Sequence, residues 1–406
     1  MPISALPEGT VRRLGSAVIT CPDLLLKELL DNAIDSGATS IDVLVSPNTV
    51  DKIEVRDNGG GIRPDELEFL GRPGHTSKLS SFDELATLGG HTLGFRGSAL
   101  ASAGELATVS LTTRIPSEHV ATAIGLAKGG GIAARRLVGA PVGTTVSVTS
   151  LYAHLPVRLR VAIHEAPKSL ARMKTLLQAY VLTRPWMRLR FTVLKTAHLS
   201  WSYSPTPRGD DNEAVMQLFG TELASQCTVE TSSAEKFRGA PEISMTPEGS
   251  TLALAAESGP VFEALLPSPR ADPRKIGQGA FLSVDSRPIS AARGTAKKLI
   301  SVFKRRLTEH LTRVRSVECP REPFIKLNIR CPPGSYDVNV EPSKEDVIFR
   351  EEKDLLDQFE TFLSFIYAAP EPSHQSQPRT DVEVPATEDS SELAPRAPEV
   401  ALLPQV

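Results

Sequence analysis

The chain of 406 residues has only four cysteines, Cys21, Cys227, Cys319 and Cys331, with no Cys-x-x-Cys pair among them. That scarcity excludes a thiolate zinc site and a disulfide framework, and predicts reduced thiols acting as small buried hydrophobes. No apolar run reaches membrane-spanning length and no signal peptide opens the sequence, so a soluble intracellular protein with no membrane partner is expected. Strong net charge is missing too. The chain carries −3, and residues 370–406 alone hold seven acids against two arginines, a net −5. The remainder is therefore +2, which argues against tight charge-driven nucleic-acid binding and leaves room for weak, salt-sensitive DNA binding through a local patch. Aromatics make up 5% of residues and do not interleave with the basic positions, so stacking on single-stranded bases is not indicated. No internal repeat is evident.

What is present begins with a helix. Asp23 to Ser36 is rich in Leu, Ala and Ile, with Pro22 before it and Gly37 after it, the pattern of a capped helix. Glu28 and Asn32 lie four apart and share a face. A carboxylate there can serve as general base for a water, and an amide oxygen can ligate Mg²⁺, an ion that takes few protein oxygens beside phosphates. Ser40 to Val45 and Lys52 to Asp57 alternate like half-buried strands across the turn-prone Ser46-Pro47-Asn48. Asp57 ends the second strand and runs into Gly59, Gly60 and Gly61, followed by Ile62. Such a carboxylate can accept from the exocyclic amine of adenine, and the glycines let backbone approach a flat ring. His75-Thr76-Ser77-Lys78 offers hydroxyls and an ammonium. Gly94-Phe95-Arg96-Gly97 leads into an Ala/Leu-rich helical segment, an arrangement that cradles phosphate with backbone N–H groups.

Taken singly, each of these is a common helix face, turn or loop. Together, Glu28/Asn32, Asp57-x-Gly-x-Gly61, Gly94-Phe95-Arg96-Gly97 and Gly143-Thr144-Thr145-Val146 resemble the four motifs of the GHKL ATPases. Within that superfamily the Thr76-Ser77-Lys78 triplet, Leu155-Pro156-Val157-Arg158 and Asp337 to Val347 are similar to the MutL family of DNA mismatch-repair proteins, with wording closest to the eukaryotic post-meiotic segregation branch. The likeness runs from about Leu6 to Tyr367.

The resemblance implies an α/β (α+β sandwich) fold: a GHKL, or Bergerat, ATPase domain over 6–205, then a transducer domain like domain 2 of ribosomal protein S5 over 206–367. A disordered acidic, Pro-rich tail is expected over 368–406. It implies ATP and Mg²⁺ as cofactors, with Glu28 and Lys344 catalytic and Asn32 on the metal. Asp57, Gly61, Ile62, Thr76, Ser77, Lys78, Gly94, Phe95, Arg96, Gly97 and Thr145 would line the nucleotide. Lys344 would reach the γ-phosphate from the second domain. The partners implied are a second MutL-type subunit in a heterodimer, a MutS-type mismatch-recognition complex and DNA, in the nucleus. No Asp-Gln-His-Ala-type endonuclease motif occurs in this chain. The rival readings are a non-hydrolysing, nucleotide-gated scaffold and another GHKL enzyme such as a chaperone or topoisomerase subunit.

Elsewhere, helices are expected at Ala166 to Leu182, Glu213 to Phe219, Gly294 to Arg315 and Glu351 to Tyr367. Strands are expected at Trp201 to Tyr203, Phe281 to Val284 and Phe324 to Ile329, and Gly125 to Ala134 reads as a loop. Lys297, Lys298, Lys304, Arg305 and Arg306 on the long helix form a candidate DNA stripe. Ser98 stands where the motif normally has Glu, His154 replaces an Asn, and the lid ending at Leu93 is longer than the pattern, departures that bear on lid kinetics.

Overall fold

The computed structural model describes residues 19–76, 78, 92–94, 97–207, 209–232, 259–341 and 344–368, and for Arg315 only the backbone. Ser77, Phe95, Arg96, the lid residues 88–91 and the tail 369–406 of the sequence reading lie outside the described residues.

Helix α1 (Pro22–Asp35) begins on a proline whose missing N–H would have no helical partner, and it buries Leu25, Leu26, Leu29, Leu30 and Ala33. Gly37, at φ 77°, turns the chain into strand β1 (Ser40–Val45), which pairs antiparallel with β2 (Lys52–Asp57). Both strands alternate buried and half-exposed positions, as their sequence pattern requires. After α2 (Ala99–Leu106) come β3 (Thr108–Arg114), β4 (Ala121–Leu126), β5 (Ile132–Val138) and β6 (Gly143–Thr149). Then follow α3 (Pro156–His164), α4 (Ala166–Thr183), β7 (Arg188–Val193) and β8 (Trp201–Tyr203). The eight strands form one sheet in the order β5-β4-β3-β6-β2-β1-β7-β8, antiparallel except for the β1–β7 pair. Helices α1 and α4 lie against each other, tied by Asp23, which takes a 2.7 Å bond from Ser169 and a 3.0 Å bond from Arg172.

The second sheet comes after α5 (Asp211–Phe219), which Asp210 caps by accepting the Glu213 N–H at 2.8 Å, and after α6 (Thr221–Ala224). Its strands are β9 (Cys227–Thr231), β10 (Val261–Pro267), β11 (Ala280–Val284), β12 (Arg287–Ile289) and, after α7 (Gly294–Arg315), β13 (Ile325–Arg330). The order is β12-β11-β13-β10-β9, with α7 carrying the chain back so that β13 runs parallel to β11. A short hairpin of β14 (Tyr336–Asp337) and β15 (Ile348–Phe349) precedes α8 (Glu352–Ile366), which packs on α7. No strand belongs to both sheets, and one contiguous apolar core joins their helices. Leu30, fully buried in it, is a position where truncation to Ala costs about 2–5 kcal/mol.

One expected span is too wide: the loop between strands read over Gly125 to Ala134 covers only 127–131, since β4 runs to Leu126 and β5 starts at Ile132. Strand β5 is an edge with Ala133 to Leu137 exposed, so neither face supplies the alternation by which strands are recognised. The described cysteines are unbridged and half-buried rather than fully so, and burial pushes the Cys227 and Cys331 thiols up to about 12. Among the described residues no helix is long and apolar enough to cross a membrane.

Candidate nucleotide site

The buried face of α1 presents Glu28, and opposite it stands a residue from the far end of the chain. Lys344 Nζ donates to Glu28 Oε2 at 2.9 Å, with the lysine side chain 1% exposed and the glutamate 11%. Lys344 adopts φ 54° in the loop between β14 and β15, a conformation that costs a non-glycine residue roughly 1–3 kcal/mol. Burial pulls the Lys344 ammonium below its usual range, and the negative charges of Glu28 and Asp31 oppose that pull. Removing two charges from water costs several kcal/mol per ion, so such a pair is weak evidence for stability. The two candidate catalytic residues therefore meet, 316 positions apart in sequence.

One turn along α1, Asn32 Oδ1 accepts from Lys78 Nζ at 2.9 Å, and the same ammonium donates to Asp35 Oδ2 at 2.5 Å. The carboxylate of Asp35 also accepts the N–H groups of Leu93 at 2.8 Å and Gly94 at 2.9 Å. A Cβ on Gly94 would stand 2.8 Å from Lys78 Nζ and 3.3 Å from Asn32 Oδ1, so a side chain there would crowd both. Thr76 turns its hydroxyl to the Lys78 N–H at 3.2 Å. Gly97 and Gly61 hold φ 60° and 75°, and a Cβ at either would meet a backbone carbonyl, His75 O at 2.5 Å or Arg114 O at 2.4 Å. Ser98 precedes α2 but makes no side-chain cap bond.

Asp57 ends β2 nearly buried, and its Oδ1 accepts from the N–H of Gly59 at 2.9 Å and of Thr144 at 3.1 Å. Burial raises its pKa, and those N–H bonds hold the rise in check. The register pairs Thr145 with Arg56, one position off, so Thr144 and not Thr145 shares Asp57's side of the sheet. Thr144 Oγ1 lies 3.1 Å from Thr113 Oγ1, which accepts the Ile62 N–H at 2.9 Å. Ile62 also lines a groove of about 320 Å³ with Pro64, Leu67, Thr113 and Ile115, whose lining includes neither Glu28 nor Asn32.

Sequence reasoning missed the charges behind these residues. Asp31 is fully buried between Lys27, 3.0 Å away, and the Tyr180 hydroxyl that donates to it. Burial pushes its carboxyl up, but Lys27, Lys344, the Tyr180 hydroxyl and Arg287 hold it at about 2. The Lys27/Asp31 spacing of four was a usable signal. Asp35, Tyr180 and Arg287 carried none, because their partners come from distant segments.

The candidate DNA stripe is largely engaged. Lys298 pairs with Glu352 at 2.6 Å, Arg305 and Arg306 both pair with Glu360 at 2.7 and 2.5 Å, and Lys304 donates to Arg321 O at 3.0 Å. Lys297 is exposed. Two acids of α8, Glu352 and Glu360, thus engage three of these five cations. Among the described residues no cluster of three His, Cys, Asp or Glu side chains stands ready for a metal.

Residues 20–126 match the family described as histidine kinase-, DNA gyrase B- and HSP90-like ATPase, and residues 262–367 match the C-terminal domain of DNA mismatch repair protein. The chain is 28% identical to PMS1 protein homolog 1 of Homo sapiens over 94% of its own length and 38% of that protein's. It is 30% identical to mismatch repair endonuclease PMS2 of Mus musculus, over 88% of this chain and 40% of the relative. It therefore spans about two fifths of the length of these relatives. A crystal structure described as the N-terminal domain of a DNA repair protein superposes with a TM-score of 0.65 at 24% identity, covering 88% of this chain and 97% of that one, a likeness of fold. With an ATPase match in its first half, a mismatch-repair match in its second and mismatch-repair relatives along nearly its whole length, the chain belongs to the MutL family of DNA mismatch-repair proteins and has the GHKL ATPase fold.

Proposed function

We propose that this chain binds ATP with Mg²⁺ at the α1–β2 site, hydrolyses it slowly, and uses the bound γ-phosphate to gate association with a second MutL-type subunit. In this reading two domains, 6–205 and 206–367, close over the nucleotide in a nuclear protein that links a MutS-type complex on mismatched DNA to later repair steps. The observation that carries it is the buried Lys344–Glu28 pair. With Lys344 donating to it, the Glu28 carboxylate has an oxygen engaged and is held back from taking a proton from water. A γ-phosphate is the stronger lure for the ammonium, and on its arrival Lys344 would leave Glu28 and meet the charge that develops on transfer. Only the triphosphate would release the base.

Asp57 suits adenine recognition, since its Oδ1 is already anchored by Gly59 and Thr144. Asn32 suits Mg²⁺ on similar grounds: its Oδ1 and Asp35 Oδ2 already tolerate a cation, the Lys78 ammonium. When bound, the ion would neutralise phosphate charge, while Lys78, displaced from Asn32, would be free to reach a phosphate oxygen.

The test is Lys344→Met assayed for nucleotide affinity and turnover. Turnover should fall at least ~100-fold with ATP affinity down and ADP affinity within about twofold, because ADP lacks the phosphate in question. Equal losses for ATP and ADP, or unchanged turnover, would refute the assignment. A second reading, a nucleotide-gated scaffold without turnover, has one feature in its favour: Ser98, in place of a carboxylate, leaves α2 without a side-chain cap.

A further inference from the structure

Besides Lys344 of the β14–β15 loop, a second residue from beyond the first sheet reaches the nucleotide-side loops: Arg287 of the second sheet, which no local sequence signal marks. Arg287 opens β12 directly after the two-residue turn Asp285-Ser286 that joins it to β11. Both turn residues hold positive φ, 46° and 61°, in a hairpin geometry that favours Asn and Gly. The surroundings fix them there. Asp285 accepts from the Tyr336 hydroxyl at 2.7 Å and the Cys331 N–H at 3.0 Å, and the Ser286 N–H donates to Asn328 Oδ1 at 3.0 Å. From the end of α4, Arg184 donates to Ser286 O at 2.7 Å. The turn thus aims the next side chain with little freedom.

Arg287 is 1% exposed, and its fork grips the backbone of the segment before Gly94: Nη1 donates to Leu93 O at 2.9 Å and Nη2 to Thr92 O at 2.6 Å. Among the described residues its Nε finds no acceptor. A dry guanidinium with an unmet donor is a costly way to stabilise a fold, which turns attention to what the fork holds. The same segment is held from the other side by Asp35, which accepts the Leu93 and Gly94 N–H groups. Carbonyls are therefore fixed by the second sheet and amides by α1. Asp35 also accepts from Lys78, whose ammonium reaches Asn32, so the clamp ends at the residues assigned to metal and phosphate.

We propose that Arg287 is a positioning residue for the nucleotide reaction: seated from the second sheet, it fixes the backbone at Gly94 so that the phosphate-facing loop is in register only when the two sheets are docked. This rests on the ATP reading above. Lysine is not an equivalent, because a point charge cannot hold two carbonyls in a planar fork. The arrangement gives two distinct grips, Lys344 of the β14–β15 loop on the base and Arg287 of the second sheet on the loop.

The experiment is amide hydrogen exchange on the nucleotide-free chain, together with turnover and ADP affinity, for Arg287→Met and Arg287→Lys. In Arg287→Met the Leu93 and Gly94 amides should exchange at least ~tenfold faster while those of β11 and β13 keep their protection. Turnover should fall at least ~tenfold with ADP affinity within about twofold, and Arg287→Lys should recover part of both effects. Unchanged exchange at Leu93 and Gly94, equal acceleration through β11 and β13, or matched losses for ADP and ATP would overturn the proposal. If Arg287→Met does not fold, Arg287→Lys decides by the same readouts, at smaller amplitude. If the wild-type chain binds no ATP, the nucleotide reading falls, and the exchange measurement alone still decides whether Arg287 clamps the segment.

Discussion

Lys344 and Lys298 each hold a glutamate from a different element, at 2.9 and 2.6 Å, yet they sit in opposite surroundings. Lys344 and Glu28 are 1% and 11% exposed, whereas Lys298 and Glu352 are 57% and 35% exposed. In water the shorter pair gains little, because solvent screens it and two long side chains must be ordered to form it. In the dry pair each charge depends on the other, so neither side chain can be lost cheaply. Geometry alone would rank the two the wrong way round. What separates them is the cost of leaving a partner behind, high in the buried Glu28 pair and low on the exposed α7–α8 surface.

Truncating each lysine separates the two pairs most sharply. Lys344→Met should destabilise the fold by about 3–5 kcal/mol by stranding Glu28, with Glu28→Gln restoring part of it in the double variant, whereas Lys298→Met should cost at most about 1 kcal/mol. Chemical denaturation of all four variants reads this out. Similar losses at the two sites would erase the distinction.

A smaller effect sharpens the role of Asp57. Burial raises its folded pKa above the unfolded value of 3.8, so the native state binds the proton more tightly. The stability this contributes is fully present below pH 3.8 and lost as pH rises through the folded pKa, leaving the ionised carboxylate a net cost at neutral pH. Asp57→Asn keeps an oxygen to accept from Gly59 and Thr144 but offers an amine where the adenine amine would donate. It should raise the midpoint of thermal unfolding at pH 7 by a few degrees, flatten the acid-side pH dependence, and abolish ATP binding. Retained nucleotide affinity would remove Asp57 from the site.

The smallest effect belongs to the surface. Glu360→Gln releases Arg305 and takes one of two carboxylates from Arg306, which keeps Glu309 at 3.1 Å, so DNA retention at low salt should rise by about two- to tenfold with a steeper salt dependence and no change in ATP affinity. No change in retention would take α7 out of the candidate DNA surface.

What the sequence made legible divides by range. Strands β1, β2 and β8 and helix α7 have the bounds read from sequence, because local alternation, proline and helical periodicity determine them. Glu28, Asn32 and Asp57 were legible as motif residues, and the resemblance brought Lys344 to them. The loop read over Gly125 to Ala134 was drawn too wide because β5 is exposed on both faces. That Thr144 rather than Thr145 shares Asp57's side of the sheet was not legible, because motif wording does not set strand phase; register against β2 does. Lys78 was legible from its motif, but its Asp35 partner, 43 positions away, and Arg287, whose contacts lie 194 and 195 positions away, make contacts that no pattern in a single sequence reaches.

In the proposed mechanism Glu28 is the base, and its release from Lys344 permits hydrolysis. Single-turnover hydrolysis by Glu28→Gln, measured beside equilibrium ATP binding, tests it most directly, since glutamine keeps an oxygen for Lys344 and loses only the basic carboxylate. Turnover is predicted to fall by more than ~100-fold while ATP affinity stays within about threefold. Turnover at the wild-type rate in a folded, ATP-bound Glu28→Gln chain would contradict it.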